Sequence, residues 1–168
     1  MSLLIAMFVI VPTLAAANPG VAPCDSSASL SRHLERAFPG WKRVTHTDLP
    51  SERRSLFVRD HPAACPGQVS IDFFGDARPT IALSLWRRGK ALLVLARERS
   101  SDTWSSQVLD EGNEAGVVWK EGPGDYEDVH RGRRLRVARE GLVWCGYESW
   151  AILYSWDNGK VEKVWISD

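Results

Sequence analysis

The chain has 168 residues, and its 21 Lys and Arg are balanced by 21 Asp and Glu, so it carries no formal net charge. A neutral chain has no field that draws it to nucleic acid or to an anionic membrane surface, and neither is expected as a partner. With 44% hydrophobic residues, one domain of this length buries a core without obligatory staples.

Residues 1–17 carry no charged side chain, hold an apolar stretch and end in small residues, with Ala15 and Ala17 at the two small positions before a cut. This is the pattern of a secretory signal peptide. The stretch is shorter than the roughly 20 residues a spanning helix needs and is interrupted by Pro12, so no stable membrane insertion is expected after cleavage. Cys24 lies too far past Ala17 for a lipoprotein cut. The expected location is the periplasm or the medium. Residues 18–28, rich in Asn, Pro, Gly, Ala and Ser, read as a flexible leader, and residues 29–168 as a single domain. An exported chain with three cysteines can form one bridge. Cys65–Cys145 is the pairing expected, Cys24–Cys65 the second choice, and three free thiols the alternative.

The first element is a helix over Ser29–Phe38, capped by Ser27 or Ser29, with Leu30, Leu34, Ala37 and Phe38 on one face. Pro39-Gly40 stops it. His33 falls on its polar side and is expected to be solvated. A short helical turn fits Pro50–Phe57, and a strand runs from Gln68 to Phe73. Then come two apolar runs, Ile81–Trp86 and Ala91–Ala96, joined by Arg87-Arg88-Gly89-Lys90. They read as a central hairpin covered on both faces. Thr103–Leu109 is the third strand of this meander and Asp110–Ala115 a polar loop. Val117–Trp119 is a short strand. Lys120–Arg131, with its Gly, Pro and acids, is the least ordered internal loop. Arg134–Ala138 alternates charged and apolar residues, as an edge strand does. Leu142–Cys145, the turn Gly146–Ser149, Trp150–Trp156, the Asn158-Gly159 turn and Val161–Ile166 complete the series. Together these make a mainly β (α+β) fold, an antiparallel meander or sandwich-like domain of about nine strands with one N-terminal helix.

One loop carries a motif. Residues 69–82, Val-Ser-Ile-Asp-Phe-Phe-Gly-Asp-Ala-Arg-Pro-Thr-Ile-Ala, resemble the FG-GAP/VCBS-type repeat, in which acids and amides of a loop between two strands hold calcium. The resemblance implies an exported β-sheet protein, with Asp72 and Asp76 as metal ligands. Phe74 and Thr80 stand where the repeat has two further oxygen ligands, and Ala77 where it has a second Gly. Calcium takes six to eight oxygens, so the implied site is a weak one. A single copy does not build a propeller. The bland reading makes the same residues a structural turn.

No phosphate loop, metalloprotease helix, paired-cysteine motif or local nucleophile signature is present, so no catalytic residue is assigned and no cofactor beyond weakly bound calcium is expected. Eight Trp residues invite a carbohydrate-binding reading, but Trp104, Trp144, Trp150, Trp156 and Trp165 fall in predicted strands and are expected as core and cross-strand pairs. The leading expectation is an exported, non-enzymatic protein that binds another protein or a cell-envelope component through residues 121–136 and 146–149. The alternatives are a carbohydrate-active or other hydrolytic enzyme with a site assembled from distant residues, and a weak calcium-binding module.

Overall fold

The computed structural model describes residues 24–167. The expected signal peptide and most of the leader lie outside the described residues. Ser27 caps the first helix, α1 (Ala28–Ala37), by accepting the Leu30 N–H at 3.2 Å. A two-residue strand, β1 (Lys42–Arg43), and a 3₁₀ turn over His46–Asp48 lead to a second helix, α2 (Ser51–Asp60). Ten strands follow: β2 (Gln68–Ile71), β3 (Thr80–Arg87), β4 (Lys90–Ser100), β5 (Thr103–Gly112), β6 (Val117–Glu121), β7 (Gly124–Asp128), β8 (Arg133–Val137), β9 (Gly141–Gly146), β10 (Trp150–Asp157) and β11 (Lys160–Ser167). The fold is mainly β, with antiparallel pairing throughout.

Sheet I has the order β1-β3-β4-β5, with β2 beside β1 on the same edge of β3. Sheet II has the order β11-β10-β9-β6, and β7–β8 is a separate hairpin. Both long hairpins turn on paired positive-φ residues, Arg88-Gly89 and Asn158-Gly159, which match the twist of the strands they join. The two-residue period of a strand sends its side chains to two different layers. On β4, Leu92, Val94 and Ala96 pack with Leu83 and Leu85 under Leu30 of α1. Ala91, Leu93 and Leu95 point the other way and meet Leu142, Trp144, Ile152 and Tyr154 of sheet II. The far face of sheet II, with Val143, Cys145, Leu153 and Val164, is closed by Val44, Leu49, Phe57 of α2 and Val137 of the β7–β8 hairpin. Four layers result: α1, sheet I, sheet II, and α2 with the hairpin. This covering explains why the runs 81–86 and 91–96 are apolar almost without a break.

Several expectations are corrected. The expected Cys65–Cys145 bridge does not form; Cys24 is bonded to Cys65, with 5.3 Å between their Cα atoms. The reason is the path of residues 24–27. The Arg43 guanidinium donates to the Cys24 carbonyl, to Ser26 and to Gln68, and Ser26 donates to Gln68 at 2.7 Å. These bonds hold Cys24 at the start of β2, beside Cys65. Cys145 is a free thiol buried in the layer between sheet II and α2, and burial pushes its pKa up to about 12. The helical turn near Pro50 is a full ten-residue helix, although Phe57 is its single fully buried residue. Residues 120–131 are not a loop throughout. β7 pairs Asp125 with Arg136 and Glu127 with Arg134, so opposite charges face each other across the hairpin. His33 is not free in solvent, since its Nε2 lies 2.9 Å from the Ser106 hydroxyl of β5.

Candidate functional site

The two sheets are filled against each other over most of their length but part near the C-terminal end of β5. Two register shifts stand at this place. Leu93 pairs with Asp110 and Val94 with Val108, which leaves Leu109 as an extra residue in β5. Ala151 pairs with Ser167 and Ile152 with Trp165, which leaves Ile166 extra in β11. A bulge re-aims the side chains after it and strengthens local twist. The result is a cleft of about 460 Å³ between sheet I and the inner face of sheet II. It is lined by Asp110, Glu111, Gly112, Asn113 and Glu114 on one side and by Trp144, Trp150, Ile152, Lys163 and Trp165 on the other.

The floor is set by Trp144, which is 1% exposed. Its indole N–H donates to the buried Ser84 hydroxyl at 3.2 Å, and its ring meets Trp150 edge-on with centroids 5.1 Å apart. Gly116 is required beneath it, because a Cβ there would lie 2.4 Å from the Trp144 Nε1. Trp150 is anchored by its own N–H, which donates to Glu114 Oε1. The same oxygen accepts from Ser149 at 2.8 Å, and Glu114 Oε2 accepts from Arg53 of α2 at 3.2 Å. Burial pushes the Glu114 carboxyl up, but the bonds from Ser149, Arg53 and Trp150 outweigh it and hold the group below its usual value.

Asp110 organises the opposite wall. Its Oδ2 accepts from both the Tyr154 hydroxyl and the Lys163 ammonium, and its Oδ1 accepts the Glu111 N–H at 2.8 Å. Burial again acts upward, and the Lys163 and Tyr154 bonds win, so Asp110 stays ionised. Burial and then Asp110 raise the Tyr154 phenol, which stays protonated. The Lys163 ammonium also lies 5.4 Å from the Trp165 ring centroid and 5.9 Å from that of Tyr154. Behind Trp165, His130 stacks in parallel at 4.6 Å, and the Val129 N–H donates to the Trp165 carbonyl at 2.9 Å. The tip of the β7–β8 hairpin thus props one wall of the cleft.

The residues singled out in the sequence fall in three places. Asp72 and Asp76 share one turn, but they face different partners. Asp72 accepts the N–H groups of Asp76 at 3.1 Å and Ala77 at 3.2 Å. Both oxygens of Asp76 are within 2.9 Å of the Arg97 guanidinium. Phe74 packs on Trp156 and under Arg97, and the Thr80 hydroxyl is buried without a hydrogen-bond partner. Both carboxylates are thus already engaged, Asp76 by the Arg97 guanidinium and Asp72 by loop N–H groups, an arrangement that disfavours calcium, which needs six to eight oxygens to itself. Among the described residues no group of three or more His, Cys, Asp and Glu is placed to hold a metal ion. Of the surfaces 121–136 and 146–149, the first touches a cleft residue through His130 on Trp165 and the second through Ser149 on Glu114.

The cleft residues themselves escape a reading of the sequence. Asp110, Glu114 and Lys163 show no spacing that joins them, and Asp110 and Lys163 are 53 residues apart. The one available signal is local. Lys163 interrupts Val161 and Trp165 on the inward face of β11. No protein-family model, no curated protein and no solved structure matches the chain.

Proposed function

We propose that this chain is an exported, non-enzymatic protein that binds part of a larger molecule in the aromatic cleft, with the β7–β8 hairpin and the turn 146–149 as flanking contacts. The observation that carries the reading is the commitment of the two inner carboxylates. Asp110 holds Lys163 and Tyr154, and Glu114 holds Trp150, Ser149 and Arg53. Both acids position the walls of a recess, and both are kept ionised. A recess with mostly apolar walls and a few fixed polar groups is the usual form of a ligand site. Export is supported by the Cys24–Cys65 bridge, since disulfides persist in oxidising compartments. Among the described residues no helix is long and apolar enough to cross a membrane.

The convergence of Asp110, Glu111 and Glu114 on one cleft favours a second reading, a carbohydrate-active hydrolase. Against it, such chemistry needs one carboxylic acid whose pKa is raised so that it can donate a proton, and Asp110 and Glu114 are shifted the opposite way. One experiment separates the two. The wild-type chain and Trp150→Ala are immobilised and challenged with a cell-envelope fraction, and the same proteins are assayed on chromogenic glycosides and esters. Retention by the wild type alone, without turnover, is the expected result. Equal retention by both removes the cleft as the binding site. Turnover that disappears in Asp110→Asn replaces binding with catalysis.

A further inference from the structure

We propose that the ligand of the cleft is a neutral saccharide, one ring of a glycan seated against Trp150 with its hydroxyls toward Lys163 and Asp110; this assignment rests on the binding reading above. The first argument is charge. A basic ligand would compete with Lys163, which already occupies the space over the Trp165 and Tyr154 rings and neutralises Asp110. An acidic ligand would meet Asp110, Glu111 and Glu114 on the facing wall. Glu114 is itself balanced by Arg53 at 3.2 Å. With the inner charges closed into pairs, the recess selects a ligand without net charge.

The second argument is the distribution of polar groups. The indoles and Ile152 make an apolar bed, and the polar side chains of Asp110, Glu111, Asn113, Glu114 and Lys163 line the same recess. A sugar ring has the same division, with C–H groups on its face and hydroxyls around its edge. Each hydroxyl donates once and accepts from other groups, so it is best met by a donor and an acceptor side by side. The Lys163 ammonium beside the Asp110 carboxylate is such a couple. At the rim, the exposed Asn113 amide offers both functions on one side chain, and the exposed Glu111 carboxylate adds an acceptor. An aromatic ligand without hydroxyls would use the indoles but leave these polar groups unmatched. The cleft volume, about 460 Å³, falls within the range of small-ligand pockets.

The test is a titration of the purified chain followed by tryptophan fluorescence and calorimetry. The probes are neutral disaccharides built from glucose, galactose, mannose and N-acetylglucosamine, with spermidine, citrate and indole as charged and apolar controls. At least one disaccharide is expected to bind and to shift the tryptophan emission, with affinity at least tenfold weaker in Lys163→Met. Asn113→Ala, an exposed change that leaves the core intact, is expected to weaken it as well and keeps the test valid if Lys163→Met unfolds. Undiminished sugar binding by both folded variants overturns the cleft as the saccharide site. Binding of spermidine, citrate or indole in place of any sugar, weakened by the same variants, overturns the sugar assignment and leaves the binding reading standing. Absence of binding by every probe overturns the sugar assignment. Cleavage of a bound disaccharide retains the ligand class and overturns the non-enzymatic reading.

Discussion

Two acidic stretches of this molecule invite comparison. Residues 72–76, Asp-Phe-Phe-Gly-Asp, and residues 110–114, Asp-Glu-Gly-Asn-Glu, each place carboxylates about a glycine at the margin of the inter-sheet space. Residues 72–76 have the sequence of a site, yet the stretch is closed. Its acids turn onto loop N–H groups and Arg97, and Phe73, fully buried, fills the space behind them. Residues 110–114 have the sequence of a plain polar loop, yet the stretch is open. Its acids reach across to Tyr154, Lys163, Ser149 and Trp150, and these contacts hold the walls apart. The difference lies in the side chains between the acids. Two phenylalanines bring apolar volume into the core, whereas Glu-Gly-Asn brings none. A carboxylate becomes part of a site through what fills the space beside it.

The largest expected effect tests the floor of the open stretch. Trp144→Ala should cost about 3–5 kcal/mol of stability by urea unfolding, because it removes a fully buried ring and its bond to Ser84. Phe74→Ala, at a half-buried position of the closed stretch, should cost clearly less; equal losses would remove the distinction between a built floor and a filled turn. Next in size is a pair of glycine substitutions. Gly116→Ala should cost about 1–3 kcal/mol and shift the Trp144 emission, since its Cβ must displace the indole. In Gly75→Ala the added Cβ meets the flexible end of Arg139, so the cost is mainly that of a positive φ, about 1–2 kcal/mol, without a spectral change.

A third contrast is pH dependence. Asp110 is held below its usual pKa, so its contribution to stability is complete above the ordinary carboxylate range near 4 and is lost as pH falls through its lower folded value. Asp110→Asn should therefore flatten the acid limb of the stability curve. Asp76 is also lowered, first by its hydrogen bond to Arg97, but in solvent, so its part of the acid limb should fade in 0.5 M salt while that of Asp110 persists. A limb that salt erases in full would mean that Asp110 is no better shielded than Asp76. The smallest expected effect is that of calcium. Binding at a hundredfold excess over Kd would add about 2.7 kcal/mol, whereas no change in Tm between millimolar calcium and chelator is expected. A rise of several degrees, abolished in Asp72→Ala, would reopen the closed stretch as a metal site.

Much of the fold is legible in the sequence, wherever a rule acts within a few residues. The central hairpin follows from two apolar runs around Arg88-Gly89, α1 from Leu30, Leu34 and Phe38 behind a serine cap, and the last hairpin from Asn158-Gly159. Where burial is sparse, the signal fails. α2 buries only Phe57 fully, and β7 contributes only Tyr126 to the apolar side of its hairpin, with opposite charges facing one another across to β8. The Cys24–Cys65 bridge depends on Arg43 and Gln68 drawing the leader to β2, contacts that span up to 43 residues. The cleft is furthest from view. It exists because one extra residue in β5 and one in β11 shift the register of two different sheets. Periodicity determines which side chains are buried, since it follows from backbone geometry alone. Which buried faces meet, and where they part, was decided only by tertiary pairing between residues far apart in the chain.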